Sequence, residues 1–172
     1  RAMEGSRGLG DVYKRQDGKD TNQSAYFSGT NRNKRSLTLD LSSEEGQSIA
    51  RELISKSDIL VENFKVGTLK KYNLDYESLK DQFPNLIYCS ITGFGQTGPY
   101  ANRPAYDALV QAMGGVMSLT GEPDGEPMKV GVSIADLMAG MYATVSILAA
   151  LRHRDKTNQG QHLDISMLDA HV

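Results

Sequence analysis
Tryptophan is absent from the 172 residues, cysteine occurs once and phenylalanine four times. A lone thiol, Cys89, cannot close an internal disulfide, so a small disulfide scaffold is excluded and a reducing, cytoplasmic setting is expected. Charge of one sign is lacking too: 19 Lys and Arg stand against 21 Asp and Glu, a formal net charge of −2. Nucleic-acid binding needs a concentrated basic face, and this balance argues against one. Internal repeats and low-complexity tracts are missing, and 39% hydrophobic with 23% charged residues suits one soluble globular domain, not a disordered tail. The apolar run from Leu137 to Leu151 covers 15 residues. That is shorter than the roughly 20 needed to span a bilayer. With its Ala, Gly, Ser and Thr it reads as a buried core helix, and no membrane partner is expected.

Metal chemistry has equally little to draw on. His153, His162 and His171 fall at a charged helix end, a strand edge and the terminus, without ligand spacing, a second Cys or an H-E-x-x-H pattern. No metal site is expected. A G-x-S-x-G nucleophile elbow is likewise missing.

Residues Ser6 to Gln16, SRGLGDVYKRQ, read back codon for codon as a transposase adapter of sequencing libraries. Residues 1–16 are therefore set aside as a non-native leader, leaving 17–172 as the natural sequence. From Ser36 onward the patterning is regular. Leu37, Leu39 and Leu41 alternate with polar residues, the period of a half-buried strand. A helix is expected from Ser43 and Glu44, with Ile49, Leu53 and Ile54 as its apolar stripe. Asp58 to Phe64 reads as a second strand with the continuous apolar centre of a parallel sheet. Short helical pieces follow around Leu69–Tyr72 and Tyr76–Gln82, then a third strand at Leu86–Ile91. A loop over Gly93–Pro104, a helix over Tyr106–Gly114, a long helix over Ser133–Arg154 and a last strand at Leu163–Leu168 complete the pattern. This is the rhythm of βαβ units: a Rossmann-like α/β fold, a parallel sheet with flanking helices.

Three features could carry chemistry. Gly93-Phe94-Gly95-Gln96-Thr97-Gly98 is a literal G-x-G-x-x-G after a strand, but Pro99 follows and the next helix begins several residues later. The turn is too long for a dinucleotide fingerprint, although the carboxyl end of a strand is where open α/β sheets bind ligands. The basic cluster Arg32, Lys34 and Arg35 is either a solvated face or a phosphate contact. Asp136 is the sharpest signal, the only charged side chain between Ser133 and Leu151. A carboxylate in such surroundings is costly unless something stabilises or uses it. One reading makes Ser133 the N-cap and Asp136 its N3 partner in a capping-box variant. The other has first-turn amides and the helix dipole hold the carboxylate ionised and aimed at a ligand.

Four strings, taken in order, resemble the class III CoA-transferases, the family of formyl-CoA and carnitine CoA-transferases and 2-methylacyl-CoA racemases. They are Asn31–Ser36 leading to Leu39-Asp40-Leu41; Val61-Glu62-Asn63-Phe64; Gly93 through Tyr100; and Tyr106-Asp107 with Gln111-Ala112 and Thr120-Gly121. The resemblance runs from about Ser24 to the end, with Val66 standing where relatives often have proline. It implies that Asp136 is the nucleophile, within Gly131-Val132-Ser133-Ile134-Ala135-Asp136. It implies CoA contacts at Leu39, Asp40, Leu41 and Ser42, at Asn63, Phe64 and Lys65, at Lys71, and at Tyr106 and Asp107.

The implied substrates are an acyl-CoA and a carboxylic acid, with coenzyme A as substrate and no tightly bound cofactor. Transfer would pass through an aspartyl mixed anhydride and an aspartyl-CoA thioester, in an interlocked homodimer. Racemase members carry histidine at position 106, where this chain has Tyr106. A tyrosine hydroxyl ordinarily titrates at about 10 and is a poor base at neutral pH, which favours transfer over racemisation. A non-catalytic CoA- or nucleotide-binding module with Asp136 as a mere cap is the remaining alternative. Family members run to roughly twice this length, so the resemblance implies a partial large domain cut at both ends. The missing parts would hold a first βα unit, with a catalytic-site glutamine and an arginine near the adenine, and a glycine-rich covering loop with a second domain. The fragment is expected to be inactive alone.

Overall fold
The computed structural model describes residues 25–172; the leader expected over 1–16 lies outside them. The described part falls into two units. Residues 25–38 contain a short helix, α1 (Ala25–Thr30), closed by Asn31, whose N–H and side-chain amide both donate to Phe27 O at 3.0 Å. Arg32, Lys34 and Arg35 follow it, exposed.

Residues 39–172 form the α/β unit. Its elements are α2 (Glu44–Ser55), β1 (Ile59–Glu62), a 3-10 turn at Leu69–Tyr72, α3 (Tyr76–Leu79), β2 (Ile87–Thr92), α4 (Asp107–Met113), a 3-10 turn at Val116–Leu119, α5 (Ile134–Thr157) and β3 (His162–Ser166). The three strands pair in parallel in the order β1-β2-β3, with Ile59 opposite Ile87 and Tyr88 opposite His162. The Rossmann-like α/β expectation holds for this part of the fold.

One expected element is absent. Residues 37–40 form no regular element, Leu41 begins a turn, none of them pairs with a strand among the described residues, and Leu37 is exposed. Alternation every second residue prescribes an extended backbone, whereas a strand also needs a neighbouring ladder. The segment leads instead into a knot that starts α2. Asp40 Oδ1 accepts from Ser42 N and Oγ at 2.9 and 2.7 Å, and Ser43 caps the helix by accepting from Gly46 N at 3.0 Å. Side-chain caps of this kind satisfy amides that have no partner inside the helix.

The sheet is packed on both faces. On one, Tyr88 meets Ile54, Leu69, Leu74, Leu79 and Leu86, and its hydroxyl donates to Leu74 O at 3.0 Å. On the other, Val110 of α4, Ala135 and Ala139 of α5 and Met167 form a second core against Ile91 and Ile165. Fully burying one large apolar side chain contributes about 1.5–3 kcal/mol, so the tyrosine–leucine face carries more of the stability. Cys89 lies buried in β2 as a free thiol whose pKa burial pushes up to about 11. Such a thiol packs and does not react.

α5 corrects the expectation of a helix buried all round. It buries Ala135, Ala139, Ala143 and Ala150 and leaves Leu137, Met141, Val145 and Leu148 exposed. Small residues let the helix approach the sheet closely while the bulky ones face outward. By length and composition alone α5 could cross a membrane, since the helix is longer than the 15-residue apolar run read from the sequence. Its Arg154 reaches Asp58 at 2.9 Å, and Asn158, at φ 58°, closes it in the left-handed conformation. The chain then turns at Gly160 against the Leu86 carbonyl, where any Cβ would collide with backbone.

Candidate active site
Each strand hands the chain to a residue of the same cleft. Asn63 follows β1, Gly93 follows β2 and Met167 follows β3, and all three line a space of ≈ 450 Å³ with Ala105, Tyr106, Asp107, Asp136, Ala139 and Gly140. The carboxyl ends of parallel strands are where open α/β sheets gather ligand-binding loops. Gly93 is needed here because a Cβ would run into the side chain of Ala105. The β2–α4 connection runs from Gly93 to Tyr106, too long for a dinucleotide turn, and Gln96 N ties it to Asp164 Oδ2 at 2.9 Å.

A second hollow of ≈ 260 Å³ shares Asn63, Gly93, Ala105 and Tyr106 with the first and adds Phe64, Lys65, Val66, Thr92 and Arg103. The two hollows adjoin across these shared residues, and Asp136 lines the first. Asn63 is steadied by donating its side-chain amide to Ile91 O, and Phe64 N donates to Glu62 Oε2 at 2.7 Å. Lys65 and Arg103 supply positive charge, with Arg103 stacked 4.3 Å from the Tyr100 ring centroid. Arg103 and Thr92 were not singled out by the sequence reading. Thr92 Oγ1 is buried without a hydrogen-bond partner, the kind of group a bound ligand satisfies. Only spatial neighbours reveal it; its place at a strand end was the available hint.

Asp136 stands in the first turn of α5, and both sequence readings of its surroundings need correction. Ser133 makes no side-chain cap bond. The helix start is closed by Asp107 of α4, whose Oδ1 accepts from Ala135 N at 2.9 Å and Asp136 N at 3.4 Å. First-turn amides expected to favour an ionised Asp136 are thus taken up by another carboxylate. The Asp136 pKa is accordingly raised, first by loss of water around the group and second by the charge of Asp107. Part of its hydration is nonetheless retained: the residue is exposed and lines the cleft, so it can both titrate and react.

Of the expected site residues, Asn63, Phe64, Lys65, Tyr106, Asp107 and Asp136 come together around the two hollows. Tyr106 is 78% exposed at the point where the hollows meet. Leu39, Asp40, Leu41 and Ser42 lie instead at the start of α2, and Lys71 lies in the first 3-10 turn; none of these lines either hollow. The Asp40 carboxyl is held below the usual range by its bonds from Ser42. His162, the first residue of β3, packs in the fold: Nε2 lies 3.0 Å from Ser90 Oγ and the ring stacks on Tyr76 at 4.8 Å. Among the described residues no group of His, Cys, Asp and Glu is arranged to hold a metal ion.

The fold and cleft define an α/β protein with an accessible carboxylate at a helix start, set at the carboxyl ends of parallel strands. The sequence model of CoA-transferase family III matches residues 3–172, and the chain belongs to that family. It is 54% identical over 145 residues to a succinate–glutarate CoA-transferase of Agrobacterium fabrum, covering 84% of this chain and 36% of that protein. It is 47% identical over 148 residues to an acetyl-CoA:oxalate CoA-transferase of Acetobacter aceti, covering 86% and 38%. Among solved structures, a CAIB/BAIF family protein from Brucella suis matches with a TM-score of 0.84 and 54% identity, covering 86% of this chain and 39% of that one. The chain therefore spans less than two fifths of the length of these relatives.

Proposed function
We propose that the complete protein transfers coenzyme A from an acyl-CoA thioester to a carboxylic acid, with Asp136 as nucleophile. The observation that carries this reading is the accessible Asp136 carboxylate in a cleft adjoining the hollow lined by Lys65 and Arg103, in a chain of this family. The relatives' names add that such proteins act on succinate–glutarate, mesaconate and oxalate pairs, which points to short acids.

The Asp136 carboxylate attacks the donor thioester carbonyl, and the tetrahedral adduct collapses to expel CoA thiolate, leaving a mixed anhydride. The thiolate attacks the aspartyl carbonyl and releases the donor acid, so the enzyme carries an aspartyl-CoA thioester. The acceptor carboxylate attacks that carbonyl, expels CoA thiolate again and forms its own anhydride with Asp136. Thiolate attack on the acceptor carbonyl completes the new thioester and restores the aspartate. A raised pKa suits the first step, since a more basic carboxylate is the better nucleophile once ionised.

Asn63, Phe64, Lys65, Tyr106 and Arg103 are the side chains we assign to CoA, the two cations meeting phosphate. Leu39–Ser42 and Lys71 remain assigned by resemblance. Groups supplied by the rest of the protein complete the site, and this part alone is inactive. We assign the complete protein to the cytoplasm, in keeping with the buried free thiol of Cys89, and to a homodimer without membrane or nucleic-acid partners. The outward Leu137, Met141, Val145 and Leu148 supply apolar surface for such packing.

The test uses the complete protein. Acyl-CoA followed by hydroxylamine should leave a hydroxamate on Asp136, and Asp136→Ala should abolish transfer while CoA still binds. Unchanged turnover in that variant would remove the reading. Deuterium wash-in at the α-carbon of a 2-methylacyl-CoA, without acid exchange, would replace it by racemisation.

A further inference from the structure
The start of α5 is held by a device that lies outside α5. Asp107 is the first residue of α4, and its side chain reaches across to the loop and helix that carry Asp136. One carboxylate oxygen accepts from Ala135 N and, at longer range, from Asp136 N itself. The other accepts from Gln111 Nε2 at 2.6 Å. Gln111 is fully buried, and its Oε1 accepts from Val130 N at 2.8 Å while Nε2 also reaches Val132 O at 3.4 Å. Two side chains one helical turn apart therefore grip the backbone at 130, 132, 135 and 136. Nothing comparable comes from Ser133, whose hydroxyl makes no cap bond.

We propose that Asp107, braced by Gln111, is a positioning residue for the reaction. It sets the helix start so that the Asp136 carboxylate faces the cleft, and it keeps the first-turn amides from neutralising that carboxylate. This assignment rests on Asp136 being the nucleophile, and it gives Asp107 a part different from the CoA contact implied by resemblance. The electrostatics agree in direction. The titratable side chains lining the cleft with Asp136 are Asp107 and Tyr106, both at the start of α4, while the strand ends contribute Asn63, Gly93 and Met167. Asp107 is the negative neighbour, and its charge raises the Asp136 pKa after burial has done so.

An ordinary helix cap and a positioning carboxylate differ in what their loss does to the pH profile. Asp107→Asn keeps the shape, retains one acceptor oxygen and removes the charge. In the complete enzyme this variant should lower kcat by about 10-fold or more with KM for acyl-CoA little changed, the pattern of a loss felt in the transition state and not in binding. Without the neighbouring charge Asp136 ionises more readily, so the acid limb of the kcat profile should move to lower pH. Wild-type kcat with an unmoved acid limb overturns the proposal, and so does a defect confined to KM, which would make Asp107 a CoA contact. If Asp107→Asn does not fold, Gln111→Met tests the brace. It should lower kcat in the same direction and less severely, and a soluble Gln111→Met enzyme with wild-type kcat overturns the proposal. Failure of the underlying reading is seen separately, as retained transfer in Asp136→Ala.

Discussion
The two faces of the central sheet are built to opposite specifications. One is filled by Tyr88 and leucines, closed by a buried hydroxyl–carbonyl bond and a stacked Tyr76–His162 pair. The other is floored by Ala105, Ala135 and Ala139, with Gly93 and Gly140 beside them. Large side chains fill space and stabilise; small ones leave a hollow that a ligand can enter. Both faces are packed and both border hollows, one of ≈ 220 Å³ beside Tyr76, Tyr88 and His162, but only the alanine-lined side places its hollow next to the Asp136 carboxylate.

Substitutions on the two faces should accordingly separate. The largest effect belongs to the open face: Asp136→Ala should lower CoA transfer by about 1,000-fold or more, as losses of a nucleophile generally do, with little change in the urea midpoint. On the closed face Leu79→Ala, at a position only 1% exposed, should cost about 2–5 kcal/mol in urea unfolding while the folded fraction keeps its kcat. A smaller and mixed effect is expected from Ala139→Leu, which overpacks the α5 contact at about 1–3 kcal/mol and intrudes on the cleft. If that variant bound and turned over acyl-CoA normally, the cleft would not be the site.

The smallest effect is a pH dependence of stability. The Asp136 pKa is raised in the folded chain, so its ionised form is disfavoured there relative to the unfolded chain. Stability associated with the protonated group is present below the ordinary carboxylate value of 3.8 and lost as pH rises through the folded value. Asp136→Asn removes that loss. Its melting temperature should exceed the wild-type value at neutral pH, and the gain should fade in acid. A gain that persists unchanged at low pH would mean that shape, not charge, is responsible.

Much of this architecture was legible in the order of residues. The positions of helices and strands from α2 to β3 match those expected, but the apolar stripes did not mark the buried faces: of Ile49, Leu53 and Ile54 in α2 only Ile54 is buried, and α5 turns its alanines inward. The family resemblance singled out Asn63, Phe64, Lys65, Tyr106 and Asp136, which the fold gathers around two adjoining hollows. Leu37–Leu41 failed as a strand because alternation is local and pairing is not. Ser133 failed as a cap for a related reason: the right residue stood at the right spacing, yet a stronger acceptor arrived from elsewhere in the chain. Arg103 and Thr92 carried no pattern of their own and acquire meaning only from their neighbours in the second hollow.

The sequence by itself determined the periods, the capping of α2 by Ser43 and the presence of one carboxylate in an apolar helix, because these depend on residues within a turn or two of each other. Tertiary structure decided which carboxylate holds the start of α5. Asp107 and Ala135 are 28 positions apart, and no local rule reaches that far; only the packing of α4 against α5 brings that oxygen to that amide. The same packing turned the alanines of α5 inward, and with them the space beside Asp136.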